Sequence, residues 1–85
     1  MTPLEVASIV ADVLAGRITD RRVLVDRISS LEGRIDAACA EALHSAGHFL
    51  DDQDIRQSDV AYDAWQRKDL QVELDRLRSK ATPAL

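Results

Sequence analysis

The sequence predicts an all-α fold, and three observations carry the prediction. Apolar residues recur at steps of three and four, helix-starting and helix-ending residues bracket those runs, and the chain beyond Gly47 holds neither glycine nor proline until Pro83. The architecture these elements imply is an antiparallel hairpin of two long helices, crossed by a shorter N-terminal helix and completed as a helical bundle on dimerisation. One domain covers all 85 residues, with helices expected at 3–15, 20–46 and 54–80 and a frayed tail at 81–85.

Thr2-Pro3-Leu4-Glu5 opens the first helix. Thr2 can cap it, Pro3 suits the first helical position, where no amide hydrogen is needed, and Glu5 can close a capping box. Leu4, Val6, Ile9, Val10, Val13 and Leu14 then return at helical spacing, and Gly16 can take the left-handed conformation that ends a helix. After Arg17 and Ile18, either Thr19 or Asp20 can accept from the free amides of the next helix.

In that second helix Leu24, Ile28, Leu31, Ile35, Ala38, Ala42 and Ser45 follow alternating steps of four and three, the period of a helix-packing seam. Gly33 costs about 0.8–1.0 kcal/mol relative to alanine. It falls on the outermost position of this register, so a continuous helix over 20–46 is expected. Val23 and Val25 lie off the seam and offer apolar surface for the first helix, through Val6, Ile9, Val10 and Val13, to cover.

Gly47 can terminate the second helix, which makes 48–54 a reversing loop whose aspartates cap the third. Phe49 and Leu50 would then fold back over the end of the pair. The third helix carries Ile55, Val60, Tyr62 and Trp65, followed by Leu70, Leu74 and Leu77 in a regular four-three sequence. Pro83 disfavours helix in the residue before it, hence the frayed tail.

A chain this short buries only about 60% of the surface its unfolded form exposes. Cys39 is the single cysteine, so no intrachain disulfide can compensate, and it reads as a small core residue in a reducing compartment. Association is the remaining remedy. We therefore expect a homodimer, its seam formed by Leu24, Ile28, Leu31 and Ile35 of one helix with Leu70, Leu74 and Leu77 of the other. No apolar stretch approaches the length of a membrane span, and the N-terminal residues lack a basic leader followed by an apolar run; the expected location is the cytoplasm.

The net charge of −4 argues against indiscriminate nucleic-acid binding. Charge is nonetheless segregated: Asp51, Asp52, Asp54, Asp59 and Asp63 crowd one stretch with only Arg56 among them, while bases outnumber acids beyond Trp65. His44 and His48 have a spacing that can bind metal, but no companion ligand is evident and Gly47 would end the helix between them, so no metal site is assigned. The paired aspartates fit the positive ends of helix dipoles better than acid–base catalysis or calcium binding. No phosphate-cradling glycine loop is present, and neither a cofactor nor an enzymatic activity is expected.

What the sequence does support is a small protein-interaction module of the adaptor, inhibitor, chaperone or assembly-factor type. Its contact surface is placed on the first half of the third helix, where Tyr62 and Trp65 lie one turn apart flanked by Asp59, Asp63 and Arg67, facing a partner with a basic surface. The alternative is a helical nucleic-acid-binding regulator using Arg21 and Arg22 at the start of the second helix. Asp20 and Asp26 dilute those arginines, and nucleic acid is the less favoured partner.

Overall fold

Helix α1 (Pro3–Leu14) begins where its capping box places it. The Thr2 hydroxyl accepts from the Glu5 amide at 3.2 Å, and the Glu5 carboxylate accepts in return from the Thr2 amide at 2.9 Å. It ends in a Schellman turn: the Gly16 amide donates to Val13 and the Arg17 amide to Asp12, with Gly16 at φ 78°. In the computed structural model, which describes residues 1–81, α1 is followed by α2 (Arg21–Ser29), α3 (Ala37–Asp51), α4 (Gln53–Ser58) and α5 (Val60–Ala81). Among the described residues these helices are joined by turns, bends and short irregular links, with no strand.

The expected second helix is two helices. Gly33 sits at φ 97°, a backbone conformation no α-helix contains, and a Cβ there would come within 2.5 Å of the Met1 nitrogen. Local hydrogen bonds favour the break on both sides. Ser29 and Ser30 turn their hydroxyls back onto the Val25 and Arg27 carbonyls, and Asp36 accepts from the Cys39 amide at 2.8 Å to start α3 afresh. The four-three seam therefore does not run through. Leu24 is buried, Ile28 and Leu31 are half-buried, and Ile35 is exposed; in α3 only Ala42 of the seam is buried, and the buried face is widened by Cys39, Leu43, Ala46 and Leu50, which lie off it.

Gly47 does not stop a helix either. It lies inside α3, buried, with the Arg21 guanidinium 3.6 Å from where a Cβ would project. Arg21 also pairs with Asp51, so a bare backbone at 47 admits the arginine that ties α2 to the end of α3. Phe49 and Leu50 are consequently core residues of α3 rather than loop. A second break falls at Asp59, which leaves α4 as a short helix and caps α5 by accepting from the Tyr62 amide at 3.0 Å.

Helix α1 is the centre of the molecule. Val6, Ile9, Val10 and Val13 are each at most 2% exposed, packed against α5 on one side and α3 on the other. Its apolar stripe is wide enough to face two neighbours, whereas a lid across one end of a hairpin would bury only one side. Leu70, Leu74 and Leu77 of α5 are buried in this same core, together with Leu24. Of the seam assigned to a homodimer, Leu24, Leu70, Leu74 and Leu77 are internal and leave water within one chain, at about 1.5–3 kcal/mol each, while Ile28 and Leu31 are half-buried and Ile35 is exposed. Of the 81–85 tail, only Ala81, the last residue of α5, lies within the described residues.

Candidate interaction surface

The break at Asp59 sets the rotational phase of α5, and with it the direction of both aromatic residues. Tyr62 leans inward. Its hydroxyl donates to Asp52 Oδ2 at 2.7 Å, and Gln66 Nε2 donates to the same oxygen at 2.9 Å. Asp52 closes α3 and opens α4, so this carboxylate joins three helices. Donation from Tyr62, then from Gln66, holds the Asp52 carboxyl below the usual aspartate range, and the same bond pushes the Tyr62 phenol up.

Trp65 points the other way and is 59% exposed. Its ring lies 5.7 Å from that of Tyr62, centroid to centroid, tilted by 31°. The two rings form one wall of an open cleft of about 240 Å³ whose opposite side is made by Ser45 and His48 of α3, with Asp52 and Asp69 contributing carboxylates. On its far side Trp65 borders a second shallow cleft with Lys68, Asp69 and Val72, the last also exposed.

Asp63 and Arg67, expected to flank the aromatics, face a different network. Arg56 is buried, its guanidinium 3.5 Å above the Phe49 ring, donating to the Phe49 carbonyl and to Gln66 Oε1 at 2.9 Å. Its Nε lies 3.2 Å from Asp63 Oδ1, at ion-pair distance without hydrogen-bond alignment. Arg67 Nε binds both oxygens of Asp63, at 3.1 and 3.0 Å. Burial, then the charge of Arg67, pulls the Arg56 pKa down, and Asp63 and Asp52 oppose this. Asp63 and Arg67 therefore bracket an internal arginine, and Asp59 serves as a helix cap. None of the three lines the Trp65 clefts.

Gln66 couples the two networks, accepting from Arg56 and donating to Asp52. The residues that do surround Trp65 were partly legible, since Lys68, Asp69 and Val72 stand three, four and seven positions beyond it on one helical face. His48 and Asp52 were not, because only the packing of α3 on α5 brings them there. Of the arginines at the start of α2, Arg21 is engaged with Asp51 and Arg22 is exposed. No group of three or more metal-ligating side chains occurs among the described residues, and none of their helices is long and apolar enough to cross a membrane. No protein family, curated protein or solved structure matches the chain.

Proposed function

We propose that this protein is a non-enzymatic, cytoplasmic interaction module that binds a protein partner through the Trp65 face of α5. The observation carrying this reading is the exposure of the chain's single tryptophan on a helix whose neighbouring side chains are locked. A large amphipathic ring held on a rigid helix loses little entropy on binding, which is why tryptophan is enriched at the energetic centres of interfaces. Asp52 and Asp69 put negative charge in the cleft beside it, so the complementary partner presents a basic side chain there, with the indole and phenol faces available for cation–π contact.

The test is to isolate a partner from the source cells with the intact chain and measure its affinity for the parent and for Trp65→Ala. The expected outcome is a loss of stability of no more than about 1 kcal/mol with affinity weakened by about 2 kcal/mol or more, and an association rate that falls with salt in the parent and less steeply in Asp69→Asn. Equal affinity for Trp65→Ala would refute the surface. Recovery of a second copy of the chain as the only binder would replace the basic partner with self-association.

A further inference from the structure

Helix α3 carries two exposed imidazoles one turn apart. The Nε2 atoms of His44 and His48 lie 3.0 Å from each other, with the rings edge to face and their centroids 4.4 Å apart. From sequence, two features disfavour a metal here: no third ligand stands at a suitable spacing, and Gly47 is expected to end the helix between the two histidines. Instead α3 runs through Gly47 to Asp51, with Arg21 covering the glycine, so both histidines project from one continuous helical face. We propose that His44 and His48 form a two-point chelate for a divalent transition-metal ion of the nickel or copper type.

The geometry argues for that class. Imidazole nitrogens bind such ions at about 2.0–2.1 Å, and two nitrogens 3.0 Å apart at that radius subtend about 91–97° at the metal, close to a right angle. That is the angle between adjacent ligands in square-planar or octahedral coordination, the preference of copper(II) and nickel(II); a tetrahedral ion would want the nitrogens about 3.4 Å apart. Water takes the remaining positions. Without metal, one ring can present its Nε2–H to the lone pair of the other. On chelation both lone pairs turn to the ion and each ring keeps its proton on Nδ1, a change of tautomer that costs neither ring a charge. His48 also opens onto the cleft holding Asp52 and Asp69, whose charge raises the local cation concentration.

The proposal does not depend on the interaction reading; Trp65 enters only as a reporter, because it lines the same cleft as His48. Titration of the whole chain with nickel chloride in a non-chelating buffer, followed by calorimetry and tryptophan fluorescence, is expected to show one ion per chain and quenching that EDTA reverses. Even an outer-shell partner is worth about tenfold in metal affinity, so His44→Ala and His48→Ala should each weaken binding by at least about tenfold. Both rings are exposed, and the melts of the variants should match the parent. The competing donors are the Met1 amine and the buried Cys39 thiol. Binding through either survives in the double variant, and parent-like affinity there, or no binding by the parent below millimolar nickel, overturns the proposal.

Discussion

The two halves of α5 are held to the molecule by opposite means. The downstream half buries Leu70, Leu74 and Leu77 against α1 and α3, an apolar contact that is indifferent to direction. The upstream half buries Gln66 instead, between Arg56 and Asp52, while Trp65 is exposed and Val60 more so. A helix can be docked by hydrogen bonds as well as by leucines. The consequences for its surface differ, because directional bonds fix the rotation of the helix while leaving its large apolar ring outside. Apolar docking would have drawn that ring in.

This contrast can be broken from its strongest side first. Leu74→Ala, in the apolar half, should cost about 2–5 kcal/mol of stability in a denaturant melt. Arg56→Met should cost about 1–3 kcal/mol, because the Phe49 carbonyl and Gln66 Oε1 lose a donor while the packing on Phe49 is largely kept. Trp65→Ala should cost no more than about 1 kcal/mol, since most of the ring already faces water. A Trp65→Ala loss as large as that of Leu74→Ala would erase the difference between the halves.

The smallest and sharpest effects concern pH, where the halves differ in sign. Asp52 in the folded chain titrates below its ordinary value, so its contribution is present above about pH 3.8 and lost as pH falls through the lower folded value. Glu73, in the downstream half, is pushed up by burial, with Arg76 opposing. Its ionisation therefore weakens the fold as pH rises from about 4.5 through the raised value. Melts across pH 3–7 should show Asp52→Asn less stable than the parent at neutral pH and converging with it in acid. Glu73→Gln should be more stable at neutral pH, and that gain should vanish in acid.

The sequence by itself determined the helical class, the start and stop of α1, and the leucines of α5, because each depends on groups a few residues apart: a capping hydroxyl, a glycine able to take positive φ, an apolar period. It also determined that Tyr62 and Trp65 share a stretch of helix too polar for a leucine seam. The tertiary structure decided where the helices break and which way they face. Gly33 and Gly47 look alike in sequence, yet one ends up at positive φ beside the chain terminus and the other mid-helix beneath Arg21. Glycine permits both outcomes, and the choice lies with the neighbour that packs on it. For the same reason Asp63 and Arg67 left the candidate surface while Asp52, His48 and Asp69 entered it. A charged side chain turns toward its nearest opposite charge or donor, and that partner, Arg56 for Asp63 and Tyr62 for Asp52, is set by how three helices meet.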